Sequence, residues 1–191
     1  MIAGAILAGG EGRRIGGAKA MTALSGAPLI AHAARAMEGC GALAVVGDAA
    51  AAEAIGATYL CDPPGLARGP LAGVLAGLHW AHDTGADWLA TAPCDAPLLP
   101  DGLIQQLRLA AGESALACVQ SESGLEPLIA LWRPDLEDKL RAALSGGAHP
   151  PVNKLMHEWG AAFLTLQTEE VMNVNTPEDL ARAETLLASR A

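Results

Sequence analysis

Through the first two-thirds of the chain, short apolar runs alternate with longer segments whose apolar residues recur at helical spacing. That rhythm predicts a parallel sheet covered by helices, because strands buried on both faces are continuously apolar and parallel neighbours need a crossover between them. Residues 3–8 read as the first strand, and 28–37 as a helix with Pro28 in its first turn. Residues 43–46 form a second strand, 48–55 a weak alanine-rich helix, 57–61 a third strand and 70–82 a stronger helix. A fourth strand spans 88–92, and a helix over 101–111 has Asp101 as its own cap.

The rhythm then changes. Two strands, 116–120 and 128–132, are separated by a polar, Gly-containing stretch that is either a hairpin or a long excursion. A helix over 134–145 follows. Paired glycines and prolines in Gly146-Gly147-Ala148-His149-Pro150-Pro151 exclude regular structure there. A short helix over 153–159 and a strand over 163–166 lead to a final helix. Thr176 caps that helix, Pro177 takes its first turn, and Glu178 and Asp179 face the positive end of its dipole. The 191 residues contain no internal repeat and no linker, so one domain is expected, with a nucleotide-binding half over 1–111 and an acceptor-binding half over 112–191.

Composition narrows the picture. The chain is 51% hydrophobic but only 3% aromatic, which predicts a core of Ala, Leu, Val and Ile on closely packed helices. A net charge of −9 argues against a broad nucleic-acid or anionic-membrane surface, since either needs a basic stripe. Cys40, Cys61, Cys94 and Cys118 follow no zinc or disulfide spacing and read as reduced, mostly buried thiols. Neither a signal segment nor a membrane span is evident, and a cytoplasmic protein is expected.

An acidic protein that binds phosphate must concentrate its few cations, and it does so directly after the first strand. Leu7-Ala8-Gly9-Gly10-Glu11-Gly12-Arg13-Arg14-Ile15-Gly16-Gly17-Ala18-Lys19 combines glycines, which let backbone N–H groups approach an anion, with Arg13, Arg14 and Lys19. The loop lacks the Gly-Lys-Ser/Thr ending of a Walker A motif and makes a poor dinucleotide fingerprint. After the fourth strand, Pro93-Cys94-Asp95-Ala96-Pro97 holds a carboxylate between prolines at a strand's carboxyl end. Asp95 is either a Mg²⁺ ligand facing phosphate oxygens or a turn former.

Weaker signals complete the set. The stretch from Cys61 to Gly73 is either a ligand contact or a plain strand-to-helix connection. Asn173 and Asn175 occupy alternate positions of an extended segment, hence one face, where they either meet a ligand or metal-bound water or merely shape the turn before the last helix. His32, His79 and His82 are expected on helix surfaces or partly buried, and His149 and His157, flanking the Pro-Pro loop, either on the surface or meeting an acceptor phosphate. Trp80, Trp88, Trp132 and Trp159 are expected to pack.

Together, Leu7-Ala8-Gly9-Gly10, Arg14-Ile15-Gly16, Lys19, Gly69-Pro70-Leu71-Ala72-Gly73, Pro93-Cys94-Asp95-Ala96-Pro97, Glu126-Pro127-Leu128 and Asn173-Val174-Asn175-Thr176-Pro177-Glu178-Asp179-Leu180 resemble, in order, the MobA family of molybdenum cofactor guanylyltransferases. The resemblance implies a Rossmann-like α/β fold of the nucleotide-diphospho-sugar transferase type, a predominantly parallel twisted sheet with helices on both faces. It also implies transfer of GMP from Mg-GTP to the terminal phosphate of molybdopterin. On the family pattern Leu7, Ala8, Gly9 and Gly10 surround the nucleotide, Lys19 meets its phosphates, Asp62 lies in its pocket, and Asp95 serves GTP and Mg²⁺. Asn173 and Asn175 would meet the pterin. Two positions depart from that pattern. Ala18 stands where Asp commonly precedes the lysine, and Gly47 replaces an Asn at the end of the second strand, removing a polar nucleotide contact.

The implied chemistry is in-line displacement at the α-phosphorus by an acceptor that is already an anion. Alignment and charge neutralisation by Mg²⁺ on Asp95, with Arg14 and Lys19, would then carry catalysis. The alternatives are a molybdopterin cytidylyltransferase, a sugar-1-phosphate nucleotidyltransferase and a non-catalytic cofactor carrier. The Gly69–Gly73 segment resembles the guanylyl branch, and a carrier has no need of a metal carboxylate. Expected partners are GTP and molybdopterin, with transient contact to molybdoenzymes or their chaperones.

Overall fold

A computed structural model describes residues 1–9, 18–63, 69–146 and 150–190. Its main sheet has seven strands. In chain order, the elements that build the structure are β1 (Ile2–Leu7), β2 (Ala23–Leu24), β3 (Ala27–Pro28), α1 (Leu29–Ala36), β4 (Ala42–Val46), α2 (Ala49–Ala54), β5 (Thr58–Leu60), α3 (Pro70–Asp83) and β6 (Trp88–Pro93). There follow α4 (Leu103–Ala111), β7 (Leu116–Ser121), β8 (Gly124–Trp132), α5 (Glu137–Leu144), α6 (Val152–Glu158), β9 (Ala162–Thr165) and α7 (Pro177–Arg190).

The strand order is β5-β4-β1-β6-β8-β7-β9. The chain leaves β1 toward β4 and β5, then returns to place β6 on the other side of β1. All pairs of this seven-stranded sheet are parallel except those made by β8, which runs antiparallel to both β6 and β7. Reversal of direction between adjacent crossovers opens a crevice at the carboxyl ends of β1 and β6. Two apolar layers, one on each face, seal the sheet. Ile6, Val45, Ala90 and Leu131 face one side, with α1 and α4, while Ala5, Val46, Leu89 and Trp132 face the other, with α3 and α5. Gly77 lets α3 lie close, since a methyl there would sit 3.0 Å from Leu89 and 3.2 Å from Ala5.

The stretch with two alternatives is a hairpin, β7 turning through Glu122 and Ser123 into β8. Its register jumps: Cys118 pairs with Ala130 but Val119 with Glu126, leaving Pro127, Leu128 and Ile129 outside the ladder. Pro127 has no N–H to donate, so a strand containing it must be interrupted, and the interruption bends β8 toward the crevice. Trp132 closes the layer beneath, donating from Nε1 to buried Thr91 Oγ1 at 3.0 Å.

Two local expectations need correction. Asp101 does not cap α4: the N-cap is Gly102, at φ 73°, and no side chain bonds to that helix end. The left-handed backbone turns the chain into the helix, a conformation in which glycine has no Cβ penalty. The hairpin of β2 and β3 was not anticipated either, because two-residue strands leave no periodicity to read. Asp48 does cap α2, accepting from Ala51 N at 3.0 Å. The last helix carries the cap expected of it, with Asp179 N donating to Thr176 Oγ1 at 3.1 Å. The Asp179 carboxylate accepts in return from the backbone N–H groups of Asn175 and Thr176, both at 2.9 Å.

That reciprocal cap generates a stability prediction. Thr176→Ala is expected to lower stability in urea unfolding by about 1 kcal/mol. The Asn175 N–H, then the Thr176 hydroxyl and N–H, hold the Asp179 carboxyl below its ordinary range. Its contribution is therefore present above the unfolded value near 3.8 and is lost as pH falls through the lower folded value. Asp179→Asn should flatten the acid limb of the stability profile, and an unchanged limb would contradict this account.

Candidate active site

The crevice above β1 and β6 is a cavity of about 1150 Å³. Parallel pairing sets Leu7 beside Pro93, and Cys94 N donates to Leu7 O at 3.1 Å, so the segments leaving both strands start side by side. Asp95 lies two residues beyond Pro93. Ala96, Pro97 and Leu98 are buried behind it and fix its direction.

Lys19 opens a short 3-10 turn, Lys19–Met21, whose Ala20 is buried in the core. Met21 N bonds back to Ala18 O at 2.8 Å, and the β2–β3 hairpin that follows inserts Leu24 beneath. From this platform the Lys19 ammonium reaches across the crevice, donating to Asp95 Oδ2 and, at 2.6 Å, to Asn175 Oδ1. The two motifs are 76 positions apart in sequence and form one ion pair in space.

The asparagine segment is pinned by its backbone, with Val174 N donating to Asp95 O at 2.8 Å. Val174 is buried with Leu24, Leu29, Leu98 and Ala183. Asn173 and Asn175, one position to either side, turn the other way. Asn175 reaches Lys19, and Asn173 lines the cavity with its Oδ1 buried and, among the described residues, without a hydrogen-bond partner. A buried, unpaired amide oxygen is costly unless a ligand group completes it.

Leu7, Gly9, Lys19, Asp62 and Asp95 of the anticipated nucleotide set line this cavity. Ala8 is buried behind it, donating to Val46 O at 2.9 Å. Gly10 and Arg14, like Arg13 and His149, lie outside the described residues. Gly69, Pro70 and Gly73 bring the amino end of α3 to the cavity wall, and a methyl at Gly73 would come within 3.2 Å of Leu7. Residues without an assigned role also converge: Glu126, delivered by the bend in β8, and Val152 and Asn153, at the start of α6. Glu126 was visible in the sequence only as part of a motif, because the bend that aims it depends on pairing between distant strands. Burial first, and then the negative charge of Asp95, hold its carboxyl above the ordinary range.

Gly47 turns out to be a packing requirement as well as a missing side chain. It sits at φ +89°, and a Cβ there would fall 2.6 Å from Gly9 Cα and 2.9 Å from Gly9 N. The backbone at Gly9 thus rests directly on the end of β4. Elsewhere, His32 Nε2 bonds to Leu24 O at 2.9 Å, and His79 meets Glu137 at 3.2 Å on the surface, both away from the cavity. Trp88 packs beneath Arg108 and Arg133, at 5.0 and 5.4 Å.

The mixed sheet and the crevice at its reversal point define a Rossmann-like α/β fold. The structure is similar to that of molybdopterin-guanine dinucleotide biosynthesis protein A from Archaeoglobus fulgidus, with a TM-score of 0.73, 23% identity, and 99% and 100% of the two chains covered. The chain belongs to the MobA-like NTP transferase family, whose domain model matches residues 4–160. It is 42% identical over 196 residues to the molybdenum cofactor guanylyltransferase of Cereibacter sphaeroides, covering 98% of both chains. It is 38% identical over 194 residues to that of Rhodobacter capsulatus, covering 100% of this chain and 98% of the relative.

Gly47→Ala is expected to cost on the order of 1–3 kcal/mol in denaturant unfolding, through left-handed strain and displacement of Gly9. Wild-type stability with an undisturbed Gly9 amide resonance would refute the packing role. Burial pushes the Cys94 and Cys118 thiols up to about 12, Asp95 adding to the effect at Cys94, whereas Cys61 is exposed. Iodoacetamide at pH 8 should therefore modify Cys61 first and reach Cys94 and Cys118 only on unfolding, as read by peptide mass spectrometry.

Proposed function

We propose that the chain is a magnesium-dependent molybdenum cofactor guanylyltransferase, moving GMP from GTP to the phosphate of molybdopterin and releasing pyrophosphate. The observation that carries this reading is the junction of Lys19 and Asp95, both lining a large cavity, with Asn175 holding the same ammonium, in a chain 42% identical to a guanylyltransferase over nearly its full length.

The oxygen-rich donor set fits Mg²⁺. Asp95 and Asn175 already direct oxygens at one cation, and Asn173, which lines the same cavity as Asp95, offers a further buried oxygen without a partner among the described residues. Among the described residues no group of three or more His, Cys, Asp or Glu could form a complete cage. This agrees with magnesium's habit of taking one or two protein oxygens together with substrate phosphates and water. Among the described charged residues of the wall, Asp62, Asp95 and Glu126 stand with Lys19. When bound, Mg²⁺ supplies charge neutralisation at the phosphoryl oxygens.

The protein's own groups supply alignment. Backbone at Gly9 and the amino end of α3 offer N–H groups and dipole to the nucleotide. Lys19 offsets charge at the phosphates, and Arg14 is assigned the same task. An oxygen of the acceptor phosphate forms the new bond to the α-phosphorus as the bond to pyrophosphate breaks. That oxygen is already anionic, so no side chain need remove a proton. Asn173, which lines the cavity, and Asn175, which holds Lys19, are assigned to the acceptor. Among the described residues no helix is long and apolar enough to cross a membrane, which accords with a cytoplasmic enzyme passing its product to molybdoenzymes or their chaperones.

Thermal unfolding with Mg²⁺ and GTP, CTP or UTP tests the base, since a ligand at about 100 times its Kd adds roughly 2.7 kcal/mol. GTP should raise Tm most; a larger shift with CTP would replace this reading with the cytidylyl one. Asp95→Asn and Lys19→Ala, still folded by circular dichroism, should lose on the order of 10²–10³ in GTP-dependent pyrophosphate release with molybdopterin. EDTA should stop the wild type, and full turnover in its presence would remove the metal from the scheme.

A further inference from the structure

The Lys19 ammonium sits in the position that a metal ion would be expected to take. It bridges a carboxylate oxygen of Asp95 and the amide oxygen of Asn175, and both ionic side chains are largely withdrawn from water, at 12% and 18% exposure. Two hard oxygens converging on one cationic centre make a donor set for a divalent ion, yet the occupant is the protein's own charge. Such hydrogen bonds are charge-assisted and strong. A free divalent ion entering this site would have to shed water, break both bonds and then face the displaced ammonium across a few ångströms.

A triphosphate changes that balance. Its oxygens would ligate the metal and would offer the ammonium, on its flexible lysine stem, another anionic partner. We infer that Lys19 is a resident cation that closes the Asp95–Asn175 oxygen pair to free divalent ions, so that metal enters only together with a nucleoside triphosphate. The inference rests on the reading of Asp95 as the metal carboxylate. It gives Lys19 a task before chemistry, distinct from stabilising phosphate charge. Because coupling between two ligands is reciprocal, the same exchange makes triphosphate binding depend strongly on metal.

The test uses Mn²⁺ as the probe, with free ion read from its electron paramagnetic resonance signal and no acceptor present. Without nucleotide, the wild type should bind Mn²⁺ weakly. Lys19→Met and Lys19→Gln should bind it at least about tenfold more tightly, as expected when a unit charge is removed from beside a carboxylate. Asp95→Asn added to either variant should erase that gain. With GTP, the wild type should form a ternary complex that enhances water proton relaxation.

Tight Mn²⁺ binding by the nucleotide-free wild type would overturn the inference. So would unchanged affinity in both Lys19 variants when circular dichroism shows them folded and the wild-type ternary complex forms. Absence of the ternary complex in the wild type would overturn the metal reading of Asp95 itself, and the inference with it.

Discussion

Everything at the site depends on the parallel pairing of β1 with β6. Because Leu7 lies beside Pro93, the segments leaving these strands start from adjacent points and run the same way. A cation that follows the first strand and a carboxylate that follows the other can then meet without a long reach. The sheet is buried on both faces, so slipping this register would drive the small residues of β1 and β6 out of their layers.

Around that pairing the remaining elements act as supports. The β2–β3 hairpin and the 3-10 turn before it anchor the Lys19 backbone through Ala20 and Leu24. The asparagine segment is tied to Asp95 by a main-chain hydrogen bond, while Val174 anchors it in a small apolar cluster shared with α7. Close packing of glycine against backbone, at Gly47 on Gly9, and against side chains, at Gly73 and Gly77, lets α3 and the backbone at Gly9 approach the sheet more nearly than larger residues would allow. The cap of α7 and the position of Asn175 are coupled, since Asp179 holds the Asn175 N–H while the Asn175 side chain holds Lys19.

The charge distribution follows the same logic. A chain of net charge −9 that handles polyanions needs local cations, and the described wall of the cavity is itself mostly acidic. Asp95 also raises the Glu126 carboxyl, so the carboxylates share one field.

Much of the fold was legible in the sequence. Continuous apolar runs marked β1, β4 and β6, helical spacing marked α1, α3 and α4, and Thr176-Pro177-Glu178-Asp179 spelled out the start of α7. These are local properties, governed by burial of periodic faces and by satisfaction of helix-end N–H groups. Motif order along the chain also identified the family. What sequence alone left open was decided by tertiary contacts: the antiparallel insertion of β8, the bend that brings Glu126 to the cavity, and the glycine cap that displaced Asp101. The close seat of Gly47 on Gly9 belongs with these, as does the junction of Lys19, Asp95 and Asn175. Each depends on strand pairing or backbone approach between distant residues, and neither hydrophobic periodicity nor local propensity specifies such partners.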